Sequence, residues 1–422
     1  MKKIIILLII PFTLLSQDNE EKDTNKNSVS VNPYTNTIKW ETNFIFESNG
    51  LNYSFLNDML YGGYITNETK NKWLNMGDEN NHLAFELSNG LSYKNSKLGF
   101  GVSIMDRNTV RASFTDDLMR LGLYGNFNYQ NETLDFSNTF IQATRFQQYK
   151  FNYTHNLELT NISSALSYLA GNHHSSFIIN KGVFYTAENG TSLDIAYDMN
   201  VFITDTSNLN LFANNGNGIA LDLGVDFIVK NYKINIYLQD LGYINWKESS
   251  TIARADSNFT FNGVEVEDIF GFNDSIINNQ FDTGNKYNTI NKKFKSYIPA
   301  SFGFSVMRPS TSKYFKSISA GLNTKWQPYY DNSKLSFSKI GQGFSESGYS
   351  PMYWVSSVSV FKKSIIYTSL SYGGYTNDIN LGLALSFGKR FNFTIGSTHL
   401  EHILITKNAN AMSIYFNTSL SF

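Results

Sequence analysis

The chain has 422 residues, and its 34 Lys and Arg nearly balance its 35 Asp and Glu, so the formal charge is −1. A chain without a basic excess lacks the face that nucleic-acid binding normally requires, and no nucleic-acid partner is predicted. Cysteine is absent, which excludes disulfides, thiolate metal sites and a lipid-modified N-terminal cysteine. Charged residues make up only 16% and aromatic residues 15% of the chain, which favours β-sheet over helix.

The first residues predict a targeting segment. In "MKKIIILLIIPFTLLS", two lysines precede an apolar run that is shorter than the roughly 20 residues of a membrane-spanning helix. This pattern predicts a cleaved signal peptide over residues 1–16. An uncleaved anchor helix remains the alternative, because Leu14 is larger than the usual residue three positions before a cleavage site. The polar residues 17–36 that follow are expected to be disordered.

Residues 37–80 are predicted to form an N-terminal segment that contains short helices. The stretch from Leu51 lacks the period-two alternation of a strand, and its apolar residues Leu51, Phe55 and Met59 share one helical face. Asn67 is expected to cap a second short helix. Helices in this position could plug the lumen of a barrel or sit at its mouth.

The rest of the chain, residues 81–422, repeats an alternating pattern. "IALDLGVDFIV" places its large apolar residues on one face from Ile219 and small or acidic residues, such as Asp222, on the other. The chain then turns at Lys230 and Asn231 and alternates again, as a hairpin does. About a dozen or more such segments recur, separated by turn-forming residues. Residues 249–297 are rich in Asn and Asp and are predicted to be a long excursion between strands.

The alternation alone does not say which face is buried, since a soluble sandwich or lipocalin-like barrel also alternates. Three features favour a transmembrane antiparallel β-barrel. Many strands run to about 9–11 residues, the length that crosses a bilayer at a tilt. The polar face is rich in Gly, Ser and Asn, which suits a wet lumen. Few helices are available to cover so many one-sided strands, whereas lipid would cover them all.

The final stretch, "AMSIYFNTSLSF", predicts the strand that closes this barrel. Its outward face is expected to carry Met412, Ile414, Phe416, Leu420 and Phe422. The first and last strands of a barrel must pair, because unpaired backbone groups are not tolerated in lipid. The stretch resembles the last strand of bacterial outer-membrane barrels, which the barrel-assembly machinery recognises. The expected location is therefore the outer membrane of a Gram-negative cell, with membrane lipid and the assembly machinery as partners.

One segment resembles an uncharacterised Bacteroidota family of outer-membrane barrels, a domain of unknown function. It is the stretch from Leu238, and the residues that carry the resemblance are Asp240, Leu241, Gly242, Tyr243, Ile244, Trp246, Phe259, Phe261 and Gly263. The resemblance implies an all-β fold of about 14 strands with a short N-terminal helical plug. It also implies similarity in fold to fatty-acid-transporter barrels and to the shuttle barrels of type IX secretion, but no activity.

These motif residues have structural interpretations of their own. Gly242 would permit a bulged exit from its strand. Trp246 would lie in an aromatic girdle at the membrane interface. Asp240 would accept backbone hydrogen bonds in a turn. The related stretch "FTDDLMRLGLYGN" predicts a short helix that Thr115 caps.

The sequence predicts neither an enzyme nor a cofactor. His399 and His402 are three residues apart, whereas the zinc motif HExxH needs a spacing of four on a helix, and His173 and His174 fall in a turn-like stretch. All four are predicted to be exposed loop residues. The serine-hydrolase elbow Gly-x-Ser-x-Gly is absent from the sequence. No catalytic, cofactor or metal residue is therefore assigned.

Three functional hypotheses remain open at this point. The first is an outer-membrane channel or transporter for small hydrophobic or amphipathic molecules. The second is a barrel that transports nothing and serves as an anchor or shuttle in protein secretion. The third is a soluble secreted β-sheet binding protein. A lumen with room for a ligand favours the first, and an ordered external platform from residues 249–297 favours the second.

Overall fold

The computed structural model describes residues 35–62, 64–208, 210–262, 287–312, 314–328, 337–362, 364–404 and 409–422. The expected signal peptide, 1–16, and almost all of the polar segment 17–36 lie outside these residues. The described helices are α1 Tyr53–Tyr61, α2 Asn67–Leu74, α3 Asp116–Tyr124, α4 Phe337–Glu346 and α5 Glu401–Leu404. None of these described helices combines the length and the hydropathy that a membrane crossing requires.

The strands of the described residues form one antiparallel sheet of 19 members. They are β1 Asn36–Ser48, β2 Asn80–Asn95, β3 Phe100–Thr115, β4 Thr133–Asp135, β5 Thr139–Asn156, β6 Thr160–Thr186, β7 Leu193–Ile203, β8 Gly216–Val229, β9 Tyr232–Trp246, β10 Thr251–Phe261, β11 Tyr287–Asn291, β12 Lys295–Tyr297, β13 Ala300–Pro309, β14 Phe315–Trp326, β15 Ser350–Phe361, β16 Ser364–Gly374, β17 Asp378–Phe387, β18 Phe391–Ser397 and β19 Ala411–Ser421.

Fourteen of these strands close into a ring. The order around the wall is β1, β2, β3, β5, β6, β8, β9, β13, β14, β15, β16, β17, β18 and β19, and β19 pairs with β1. At the seam, Asn36 and Phe422 exchange two backbone hydrogen bonds of 3.0 and 2.9 Å. Closure gives the backbone groups of both terminal strands a partner, which a wall in lipid requires. The predicted all-β antiparallel barrel is confirmed.

The barrel begins one strand earlier than the sequence indicated. Residues 37–80 were expected to be a helical segment before the barrel, but β1 occupies Asn36–Ser48 and pairs with both β2 and β19. The physical reason is closure, because β19 would otherwise present an open edge to lipid. The helices α1 and α2 lie in the connection between β1 and β2. The cap of α2 is Thr66 rather than Asn67, whereas the predicted Thr115 cap of α3 is confirmed.

The two ends of the barrel differ in their connections. Turns such as 96–99 and 230–231 are short and lie at the same end as Asn36 and Phe422. The long connections, among them those that follow β1, β3 and β14, begin and end at the opposite end, which we call the external end. Bacterial barrels place short turns in the periplasm and long loops outside the cell.

The outer face of the wall is apolar. Large aliphatic and aromatic side chains there are a third to three-fifths exposed, including Ile104, Phe151, Leu166, Ile219, Leu223, Ile236, Phe304, Leu370 and Leu381. Inward positions between them are polar, as Asp222 is between Leu221 and Leu223. Exposure of such a band to water would be unfavourable in free energy, whereas contact with hydrocarbon avoids this penalty. The arrangement is that of a barrel with its apolar face toward lipid.

Strand β6 continues beyond the barrel. Its first part, Thr160–Gly171, pairs with β8 in the wall, and the part from Ser175 pairs with β7 instead. A bulge at Asn172 marks the change of partner. Strand β7 then pairs with β10, and β10 with β11. We call this group, with β4 and residues 173–186 of β6, the external sheet. It holds β10 and β11 of the predicted 249–297 excursion, whereas β12 pairs with β9 of the wall; residues 263–286 are not described.

Candidate functional site

Six polar side chains meet inside the barrel, and we call them the lumen cluster. They come from five strands of the wall and are Glu86, Arg107, Gln148, Lys150, Asp222 and Asp240. Each lies on the inward face because the residues beside it on its strand point out. Lys150, for example, stands between the exposed Tyr149 and Phe151. Alternation therefore dictates that these charges face the lumen rather than the lipid.

A bulge in β9 aims Asp240 at the lumen. Leu221 pairs with Leu241 and Leu223 pairs with Leu238, so Asp222 stands opposite two residues of β9 instead of one. Asp240 takes a positive φ of 57°, and its backbone N–H donates to Asp222 Oδ1 at 2.7 Å. Bulges commonly redirect a side chain in this way, and a positive φ at a residue other than glycine has an energetic cost. That cost is offset by the contacts of the Asp240 carboxylate.

Arg107 joins two non-neighbouring strands of the wall, β3 and β9. Its Nη1 donates to Asp240 Oδ2 at 2.7 Å, and its Nη2 donates to Glu86 Oε1 at 3.0 Å. The guanidinium also stands 5.4 Å from the centre of the Phe146 ring. Because β5, β6 and β8 separate β3 from β9 in the wall, the Arg107–Asp240 pair crosses the lumen.

Lys150 completes the cluster from β5. Its ammonium lies 2.5 Å from Asp222 Oδ2 and 3.2 Å from Asp240 Oδ1. Gln148 donates to Asp240 Oδ1 at 2.8 Å and to Ser167 Oγ at 3.1 Å. Two cations therefore face three carboxylates in a largely desolvated space. Mutual pairing of this kind offsets part of the free energy needed to take each charge out of water, and removal of one member leaves another uncompensated.

A further cation, Arg111, stabilises the external end of the wall. Its Nη2 donates to Gln142 Oε1 at 3.1 Å, and its Nη1 donates to the backbone oxygens of Gln327 at 3.3 Å and Glu346 at 3.5 Å. Glu346 ends α4, and a cation near the carbonyl end of a helix is favourable. Arg111 thus ties β3 to both ends of the connection between β14 and β15.

Two further polar contacts lie on the inward side. Lys325 on β14 stands between two tyrosine rings, with its ammonium 5.2 Å from the centre of Tyr349 and 5.1 Å from that of Tyr375. His399 Nε2 lies 3.2 Å from Glu47 Oε1, and both side chains are almost fully buried. The predicted exposed-loop role of His399 is therefore wrong. It packs beside β1, because the chain folds inward after the short strand β18.

The structure corrects two interpretations of the family motif. Trp246 does not lie in an interfacial girdle: it is 1% exposed and packs against His174 and Phe294, while its Nε1 donates to Ser296 Oγ at 2.8 Å. Trp246 is buried because it lies on the inward side of β9, in the core beneath the external sheet. Asp240 lies inside a strand rather than in a turn, so its partners are side chains across the lumen.

The remaining motif residues spread over several surroundings. Gly242 lies within β9, two residues after the bulge, and a Cβ there would collide with the backbone of β8. Tyr243 has the Lys295 ammonium 4.4 Å from its ring centre. Phe259 on β10 meets Tyr197 edge-on in the external sheet, and Phe261 ends β10. Leu241 is 37% exposed and Ile244 is fully buried in the core, whereas Gly263 lies outside the described residues.

The sequence pattern alone did not predict Arg107, Lys150, Glu86 or Gln148 as site residues. The available signal was a charged or amide residue at an inward position of an alternating strand. Such positions are common on the wet face of any barrel, so the signal does not separate these residues from ordinary lumen residues.

The external sheet has a pH-sensitive residue in its core. His174 is buried against Trp246 and Phe294 and lies 2.9 Å from Thr144 Oγ1, so the predicted exposed position is wrong. Burial lowers the pKa of His174 to about 3 from its usual 6.5. The unfolded chain therefore binds the proton first. Stability contributed by neutral His174 is complete above pH 6.5 and falls progressively as the pH drops toward 3.

We expect the amides of β6 and β7 beyond Asn172 to exchange hydrogen faster at pH 4.5 than at pH 7, once intrinsic rates are corrected. His174→Gln should weaken this pH dependence. His155→Gln, at an exposed histidine near the other end of the barrel, serves as the matched control and should leave it unchanged. An equal pH response in the His174 variant would contradict the assignment.

A closed ring of antiparallel strands, an apolar outer band, short turns at one end and a charged lumen define an outer-membrane β-barrel. The chain belongs to a family of unknown function, DUF5723, whose family model matches residues 26–398. This confirms the resemblance to an uncharacterised barrel family.

Solved structures share the barrel fold at low sequence identity. The Ralstonia pickettii toluene transporter TbuX is 7% identical, with 92% of this chain and 88% of that chain covered and a TM-score of 0.40. A Pseudomonas aeruginosa FadL homologue is 9% identical, with 92% and 88% covered and a TM-score of 0.37. The translocator domain of the Neisseria meningitidis autotransporter NalP is 7% identical, with 93% and 90% covered and a TM-score of 0.34. No curated protein matches the chain.

Proposed function

We propose that this barrel lets small amphipathic molecules cross the outer membrane and that the lumen cluster is its gate. The observation that carries the proposal is the Arg107–Asp240 pair, which joins non-neighbouring strands through side chains alone. Rotation of these two side chains opens the proposed gate, and every backbone hydrogen bond of the wall stays intact. Export through the signal peptide 1–16, insertion by the barrel-assembly machinery and residence among outer-membrane lipids are part of the same proposal.

The chemistry of the inward face supports an amphipathic cargo. Tyrosines point inward from several parts of the wall, among them Tyr237, Tyr349, Tyr367 and Tyr415. A phenol offers an apolar ring and a hydroxyl together, so it accommodates a solute with both characters. A purely apolar solute would have to pass the charges of the lumen cluster without any compensating hydrogen bond.

Conductance in planar bilayers tests the gate. We expect the double variant Arg107→Gln, Asp240→Asn to conduct several-fold more than the native protein, because it removes the charge pair that crosses the lumen. The change from Asp to Asn keeps the side-chain size, whereas the change from Arg to Gln shortens the side chain. The control is Arg145→Gln, Asp106→Asn, which removes an arginine–aspartate pair on the outer face of the same wall. This control should conduct as the native protein does.

Heat-modifiable gel mobility establishes that each variant is folded before its conductance is compared. If the folded cluster variant conducts no more than the native protein, the lumen cluster is not the gate.

A barrel that serves as an anchor is the second candidate, and one observation favours it. The external sheet grows directly from the wall, since β6 runs through both without a linker. A rigid platform of this kind suits the presentation of a partner outside the cell. Absence of conductance in both the native protein and the cluster variant would favour the anchor over the channel.

A further inference from the structure

The outer face of the barrel carries a groove near its external end. Its volume is about 300 Å³, and its lining consists of Gln147, Tyr149, Tyr168, Ala170, Phe212 and Asn214. The floor is made of two cross-strand pairs of β5 and β6, in which Gln147 faces Ala170 and Tyr149 faces Tyr168. The short side chain of Ala170 leaves the depression, and Phe212 and Asn214, from the connection between β7 and β8, border it.

The groove straddles the boundary between the apolar band and the polar rim. Toward the end that holds Asn36 and Phe422, the outward residues Phe151 and Leu166 on the same two strands are more than half exposed and apolar. Toward the external end, Asp106 and Arg145 form an outward ion pair of 3.1 Å. Tyrosines are typical of this boundary, where the ring lies in the apolar region and the hydroxyl meets the headgroups.

The polar side of the groove carries amides, and one lysine lies next to it. Gln147 Nε2 donates to Asp106 Oδ1 at 3.0 Å and to the backbone oxygen of Leu211 at 3.2 Å, which fixes the connection against the wall. Lys247 is exposed, and its ammonium donates to the backbone oxygen of Asn214. The groove therefore combines an aromatic floor with a basic edge.

We propose that this groove binds an anionic lipid of the outer leaflet. One acyl chain lies over Tyr149 and Tyr168 beside Phe212, and the phosphate faces Lys247. Three observations argue for a lipid occupant. The apolar band leads into the groove, the basic edge complements a phosphate, and Phe212 is 77% exposed at the level where headgroups begin. The site shares no residue with the lumen cluster, so its test is independent of the test of the proposed channel.

Native mass spectrometry of the detergent-solubilised full chain tests the site with diphosphoryl lipid A as the probe. We expect the native protein to retain one lipid A molecule at the lowest concentrations and Ala170→Trp to lose it, because the indole fills the groove. Leu166→Trp is the control, since it adds the same ring on the same outward face of β6 but outside the groove.

The basic edge has its own pair of variants. Lys247→Glu should weaken lipid A binding roughly fivefold or more, as expected for a basic group next to lipid phosphate. Lys389→Glu, in an exposed turn at the other end, should bind as the native protein does. Dioleoylphosphatidylcholine should be retained more weakly than lipid A.

Any of three results would overturn the proposal. One is native-like lipid A retention by folded Ala170→Trp, because the groove would then not be the site. The others are equal retention of phosphatidylcholine and lipid A and equal binding by the two lysine variants, because the basic edge would then select nothing.

Discussion

Replacement of Arg107 by alanine is expected to lower the free energy of unfolding by about 3–5 kcal/mol, because it leaves Asp240 and Glu86 without their cation in a desolvated lumen. Lys150 still faces Asp240, so the loss should lie toward the lower end of that range. Denaturant titration of the detergent-solubilised barrel, followed by gel mobility, measures the change.

Arg145→Ala is the matched control for this prediction. Arg145 also pairs with an aspartate, Asp106, but the pair lies on the outer face with its side chains 28% and 35% exposed. Exposed ion pairs contribute about 0–1 kcal/mol. Losses of equal size in the two variants would show that the lumen cluster has no special energetic role.

The second large effect is expected at the lipid face. Leu223→Arg should lower the free energy of unfolding by about 2–4 kcal/mol, since it places a guanidinium in the apolar band of β8. Leu98→Arg makes the same replacement at the turn between β2 and β3, where leucine is 61% exposed, against 47% for Leu223, but water is near. At this turn the replacement should lower the free energy of unfolding by about 0–1 kcal/mol. The fraction of folded barrel in lipid vesicles, measured by gel mobility at increasing urea, compares the two.

Equal tolerance of Leu223→Arg and Leu98→Arg would place Leu223 outside the hydrocarbon. Asp222, its neighbour on β8, is not a neutral comparison for Leu223. Its carboxylate binds Lys150 and the backbone N–H of Asp240, so a substitution there perturbs the lumen cluster.

Local chemistry was sufficient to predict much of this fold. Period-two alternation assigned the faces of β8 and β9, and the turn at Lys230 and Asn231 follows from their hairpin. The cap at Thr115 follows from a hydroxyl that accepts the N–H of Leu118. Each of these depends on residues a few positions apart, which is why a single sequence reveals them.

Features that depend on distant residues were not predictable in the same way. The sequence places Asp222 in the lumen, but the bulge that brings Asp240 beside it depends on the register of β8 against β9. The contact of Arg107 with Asp240 further requires the curvature of the whole wall. Trp246 illustrates the same limit, because its burial depends on an external sheet that β6 and β10 build from separate parts of the chain.

The pairing of β1 with β19 determines how early the barrel can close during synthesis. Thr37 and Ser421, which hydrogen-bond between these two strands, are 384 positions apart in the chain. At about 5–20 residues per second, the ribosome delivers the second partner roughly 20–80 s after the first. Throughout that interval the nascent chain lacks the partner strand of β1, and an unpaired strand edge is prone to pair with other polypeptides.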